Sequence, residues 1–125
     1  MPSNKLRLIF LAGLGWTLAG CMSVQPIAFP IGERREPKPP NAVVSIYRDT
    51  APDRAFEPVA RLNVHIEKTF LIPTAFNEAK PKLEELARQH GADALINIQE
   101  KKSRLNETFI YNVSATAIAF TDEVN

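Results

Sequence analysis

The sequence predicts an α+β fold, with one helix packed on a small, mostly antiparallel four-stranded sheet in the order β-β-α-β-β. Three observations carry that expectation. Val59 to Lys68 alternates apolar and polar residues, as a strand with one buried and one wet face does. Thr74 to His90 changes to three- and four-residue apolar spacing, the period of a helix. Alternation then returns over Thr108 to Phe120.

Val43-Val44-Ser45-Ile46-Tyr47 is a short β-rich run, and Ala51 to Glu57 is a polar loop containing Pro52. In the second strand Ala60, Leu62, Val64 and Ile66 share one face, while Arg61, Asn63, His65 and Glu67 share the other. On the helix, Phe76, Ala79, Leu83, Leu86, Ala87 and His90 form one stripe. Glu84 and Arg88 are spaced for a weak pair on the exposed side. Pro81 is tolerated only in a first turn, so the firm helix is expected to begin near Lys80. Gly91 sits where a left-handed C-terminal cap is wanted.

Ala94 to Gln99 reads as the third strand, with Ala94, Ile96 and Ile98 on one face, followed by a charged hairpin loop over Lys101 to Asn106. In the last strand Tyr111, Val113, Ala115, Ala117 and Ala119 share a face whose small alanines let a helix approach closely. Leu86 and Ile96, which flank the Gly91 turn, are expected to be buried against each other's elements.

Upstream of this domain the chain carries an address. Lys5 and Arg7 precede a short apolar stretch, Leu8 to Leu18, too short to span a bilayer. It ends in Leu18-Ala19-Gly20-Cys21, the pattern of a lipobox, and Cys21 is the sole cysteine of the 125 residues. Small residues at Ala19 and Gly20 suit a peptidase that cleaves beside an acylated Cys. The expected organisation is a signal peptide over 1–20, a lipidated Cys and Pro-rich tether over 21–41, and one α+β domain over 42–125. Several acyl chains on Cys21 give stable anchoring, where one chain alone is marginal. Met22, where an Asp would favour inner-membrane retention, points to the periplasmic face of the outer membrane. The tether assignment rests on Pro26, Pro30, Pro37, Pro39 and Pro40, which deny the segment a helix or a central strand. Ile27, Phe29 and Ile31 alternate, which also suits a short edge strand.

Composition narrows the function classes. Without Lys5 and Arg7, thirteen basic and fourteen acidic side chains nearly cancel, so no basic face for nucleic acid is expected. With no cysteine after Cys21, the domain must hold without an intramolecular disulfide.

The run Leu83-Glu84-Glu85-Leu86-Ala87-Arg88-Gln89-His90-Gly91-Ala92-Asp93-Ala94-Leu95-Ile96-Asn97-Ile98 resembles the signature of small bacterial YbjQ-type domains, a helix followed by Gly-Ala-Asp-Ala-hydrophobic-Ile-Asn. The same arrangement occurs in the periplasmic domain of the Rcs stress-sensor lipoproteins. Ala115-Thr116-Ala117-Ile118 is similar to their last strand, with Ala115 in place of a Gly. The resemblance implies a small α+β domain and a role in envelope-stress sensing. Those sensors carry disulfides that this chain lacks. The signature also has a structural explanation: a capping Gly91, small Ala92 and Ala94 in a tight turn, and Asp93 bonding backbone amides there.

Candidates for chemistry are few. His65 and His90 are far apart in sequence, and no phosphate loop or nucleophile-base motif stands out. His65 and Glu67 share a strand face and could join a metal site, but no soft ligand remains besides Cys21. The expected function is a lipid-anchored, non-catalytic module that docks on an envelope protein, without cofactor. The alternative is a periplasmic small-ligand or metal-binding lipoprotein. Ile118 and Phe120 interrupt the polar series Asn112, Ser114, Thr116; they are the expected interaction surface, or else a strand end buried on both sides under Phe29 or Ile31.

Overall fold

The structure is a computed structural model, and it describes residues 22–69 and 74–122. Five strands and one helix follow in the order β1 (Met22–Pro30), β2 (Ser45–Ile46), β3 (Phe56–Lys68), α1 (Phe76–Gln89), β4 (Ala94–Leu105) and β5 (Thr108–Phe120). They form one sheet with spatial order β1-β3-β5-β4-β2. All neighbours are antiparallel except β2 and β4, which run parallel. The fold is α+β with a single helix among the described residues, as expected, but its sheet is five-stranded and mixed.

The additional strand is the main correction. Met22–Pro30 lies within the segment expected to be a tether and pairs with β3 along its whole length, from Met22 opposite Lys68 to Pro30 opposite Ala60. Pro26 and Pro30 are compatible with this because β1 is an edge strand, whose outward amides need no partner. Val24 and Ala28 supply the sequence reason: they point under the helix and pack on the core. The folded unit therefore begins at Met22 among the described residues, not at Ala42.

Beneath α1 the sheet is apolar. Leu62, Val64, Ile66, Tyr111, Val113, Ala115, Ala117 and Ala119 are buried there with Ala79, Leu83 and Ala87 of the helix. The small alanines on both sides bring helix and sheet close, so Leu83 fills the space between them with no exposed surface. Leu86 and Ile96, expected to be buried, are only half-buried; Leu83 and Leu95 occupy the fully buried positions instead.

The helix starts at Phe76, earlier than Lys80, with Pro81 inside it and exposed. Its first turn is tied by the Glu78 carboxylate, which accepts the Ala75 amide at 3.0 Å and the Lys68 ammonium. Those contacts hold Glu78 below the usual carboxylate range; the Lys68 bond is the largest cause and outweighs desolvation.

β4 differs from its expected pattern in two ways. Its strand runs on through the charged residues to Leu105, so the turn is confined to Asn106 and Glu107. A bulge between Ile96 and Gln99 shifts the register, with Asn97 at φ 52°. Asn tolerates this left-handed conformation better than most residues. The bulge breaks the simple alternation of Ala94, Ile96 and Ile98. β2 is likewise shorter than the run Val43 to Tyr47 suggested.

Candidate functional site on the open face of the sheet

The face of the sheet away from α1 carries the polar half of each strand. On β3 it presents Arg61, Asn63, His65 and Glu67, and on β5 Asn112, Ser114 and Thr116, as the alternation predicts. β1 adds Ser23, Gln25, Ile27 and Phe29, which lie opposite Glu67, His65, Asn63 and Arg61.

His65 is the centre of this face. Its Nδ1 lies 2.6 Å from Asn112 Oδ1 and its Nε2 3.0 Å from Glu67 Oε1. Both partners are acceptors, so both bonds form fully only when both ring nitrogens carry hydrogen. This arrangement favours the imidazolium and raises the His65 pKa, with the Glu67 bond as the largest cause and the Asn112 bond next. The geometry can therefore hold a proton on an imidazolium between an amide oxygen and a carboxylate. His90 lies elsewhere, at the helix end, where its Nδ1 bonds the Leu86 carbonyl at 2.8 Å. The structure does not bring the two histidines together. Among the described residues no group of three His, Cys, Asp or Glu side chains could hold a metal ion.

The upper end of this face is not open. Ile118 has no exposed surface. Phe120 is half-buried beneath the Arg54 guanidinium, 4.0 Å from its ring centre. The loop between β2 and β3 is fastened at this end: Pro52 is buried, Thr121 donates its amide to the Ala55 carbonyl, and Arg54 pairs with Asp122 at 2.9 Å. The expected interaction surface at Ile118 and Phe120 is thus corrected to a covered strand end. By register this face exposes Leu105 at 65% near the β4–β5 turn and Phe56 at 36% at the start of β3, and on β1 it exposes Ile27 at 46% and Phe29 at 61%. Their alternation was visible in the sequence, but their prolines directed the reading toward a tether.

The Gly91-Ala92-Asp93-Ala94 signature forms a clamp at the same end. Asp93 accepts the Phe120 amide at 2.8 Å and pairs with Lys38, and its own carbonyl accepts the Ser45 amide. Burial would raise the Asp93 pKa, but Lys38, the Phe120 amide and the charge of Arg35 together hold it below its ordinary value. Gly91 is buried with φ +71°, and a Cβ there would meet the Glu36 carbonyl oxygen at 2.6 Å. The signature thus fastens residues 35–45 across the top of the sheet.

Leu18, Ala19, Gly20 and Cys21 lie outside the described residues. Among the described residues no helix is long and apolar enough to cross a membrane.

These features define an open-faced α+β sandwich with one covered and one polar sheet face. Among solved structures, the chain is similar to the crystal structure of a Francisella virulence factor, FvfA, with 15% identity, a TM-score of 0.55, and coverage of 80% of this chain and 100% of that one. That likeness shows a shared fold. No family model and no curated protein matches the sequence.

Proposed function

We propose that this chain is a lipid-anchored envelope protein, held by acyl chains on Cys21 at the periplasmic face of the outer membrane, and that its domain acts by contact without catalysis. The observation that carries the reading is the junction between address and fold. The lipobox cysteine is followed at once by Met22, the first residue of an edge strand, so anchor and sheet are one continuous unit. The YbjQ-type resemblance around Gly91 supports an envelope role, and the near-neutral overall charge is unlike that of a nucleic-acid binder.

Replacing Cys21 with Ser tests this. The expected result is an unprocessed precursor that takes up no labelled palmitate. Normal processing and labelling of Cys21→Ser would overturn the lipoprotein reading.

A second reading is favoured by one observation, the His65–Glu67–Asn112 group on the open face. It supports a small-ligand role; a metal could take His65 only by displacing a ring hydrogen that Asn112 or Glu67 accepts. Calorimetric titration of the protein with zinc, copper and nickel separates the two: a sub-micromolar site lost in His65→Ala would favour binding over contact.

A further inference from the structure

Strand register shows which parts of the molecule share a level along the sheet. Met22 lies opposite Lys68, Lys68 opposite Phe109, and Phe109 opposite Arg104. The start of β1 and the β4–β5 turn therefore occupy the same end. Cys21 directly precedes Met22, so their Cα atoms are about 3.8 Å apart. Three inter-strand steps separate β1 from β4, which places the turn roughly 14 Å from the anchor across that end. Leu105 pairs with Thr108, so the turn projects about one residue pair, ~3.4 Å, past the level of Met22.

This end has a distinctive chemistry. Leu105 is 65% exposed at the turn, and Met22 is 48% exposed beside the anchor. Lys101, Lys102 and Arg104 are exposed on β4 and form no salt bridge among the described residues. Arg104 is held at the turn by its Nε bond to the Asn106 carbonyl, 2.9 Å, and by the Phe109 ring. The acidic side chain of the turn is Glu107. At the far end Arg35 pairs with Glu57, Lys38 with Asp93 and Arg54 with Asp122, and at this end Lys68 is paired with Glu78.

We propose that the β4–β5 turn is a membrane-contact element. Leu105 seats in the interfacial layer of the phospholipid leaflet that holds the acyl chains, and Lys101, Lys102 and Arg104 rest against anionic headgroups. The proposal rests on the lipoprotein reading of Cys21. Its occupant follows from chain connectivity: the anchor emerges at this end with no spacer, so the leaflet is the surface held nearest to the turn. Long basic side chains keep their charge at the headgroups while their stems cover apolar surface. A lipid anchor and a basic patch reinforce each other, because the first makes the second an intramolecular contact.

The test uses the full processed protein. Cys21 would carry its lipid through sulfur, so Leu105→Cys provides one free thiol for an environment-sensitive dye, and Glu33→Cys provides a control at the far end. Both proteins are placed in vesicles of phosphatidylethanolamine with phosphatidylglycerol, and in vesicles of phosphatidylcholine alone. On anionic vesicles the dye at 105 should be at least about threefold less quenched by aqueous iodide than the dye at 33. It should also be quenched by headgroup-labelled lipid, and its shielding should weaken on phosphatidylcholine. Equal iodide quenching at 105 and 33, in protein that floats with the vesicles, would overturn the membrane contact and leave the anchor intact. Shielding at 105 that is insensitive to labelled lipid would also overturn it, and would point to a protein partner on the turn. Protein that carries no acyl mass and does not float would overturn the lipoprotein reading, and this proposal with it.

Discussion

The two faces of the sheet are made by the same strands, residue by residue in alternation, yet they are held by different physics. Under the helix, Leu62, Val64, Ile66, Tyr111 and Val113 are almost wholly removed from water, and their contribution scales with apolar area. On the open face His65, Asn112 and Ser114 are half-buried, and a local hydrogen bond orders His65 and Asn112. The difference teaches that alternation sets which side chains can be apolar, while the covering element decides which are buried. Ile118 shows this directly, because it belongs to the open face and is nevertheless wholly buried.

The largest effect should come from the helix side. Leu83→Ala and Leu95→Ala should each cost about 2–5 kcal/mol, whereas Asn63→Ala on the open face should fall within about 0.5 kcal/mol. Urea unfolding measures both, and equal losses on the two faces would break the comparison. Leu86→Ala should fall between them, since its side chain is only partly buried.

Gly91→Ala should be next, at about 1–3 kcal/mol, because it combines a positive φ with a backbone clash against Glu36. Thermal unfolding reports it. An unchanged midpoint would show that residues 35–36 do not press on the helix end.

Asp93→Asn should cost about 1 kcal/mol at neutral pH and alter the acid limb of stability. The folded-state pKa of Asp93 lies below its ordinary value of 3.8. Its contribution is therefore complete above 3.8 and is lost as pH falls through the lower folded value. The variant should show a flatter acid limb in unfolding titrations, and an identical limb would remove the Lys38 clamp from the account.

The smallest effect belongs to the open face. The folded pKa of His65 lies above its ordinary value of 6.5. The stabilisation it provides is complete below 6.5 and is lost as pH rises through the raised value, and for a pair this exposed it should stay under about 1 kcal/mol. Imidazole NMR titration should show the raised value returning toward 6.5 in Glu67→Gln. A titration unchanged by that substitution would detach His65 from Glu67.

Much of this architecture was legible in the residues. The alternation of β3 and β5 and the stripe of α1 identified the helix-side core, because burial on one face leaves a periodic signature. β1 was obscured because Pro26 and Pro30 weigh against a central strand and carry no information about edges. Leu95 was obscured by the Asn97 bulge, which breaks the period by which its face would be read. The covering of Phe120 comes from Arg54, more than sixty residues away in sequence, and no local pattern encodes that meeting. His65 and Glu67 were visible as neighbours on one strand, but Asn112 joins them only through the β3–β5 register.

The position of β1 also imposes an order of events. On the lipoprotein reading, its residues would leave the export machinery first, but their pairing partner β3 follows only after Phe56, so Met22–Pro30 would wait unpaired while more than twenty further residues emerge. A peptidase acting at Cys21 needs extended chain on both sides of the bond it cuts. Completed pairing of Met22 with Lys68 would bring the folded sheet within one residue of that bond. On that reading, maturation at Cys21 and closure of the sheet edge would compete for the same stretch of backbone. Faster closing of β1 onto β3 would appear as slower release of the signal peptide, a coupling that pulse-chase kinetics can read.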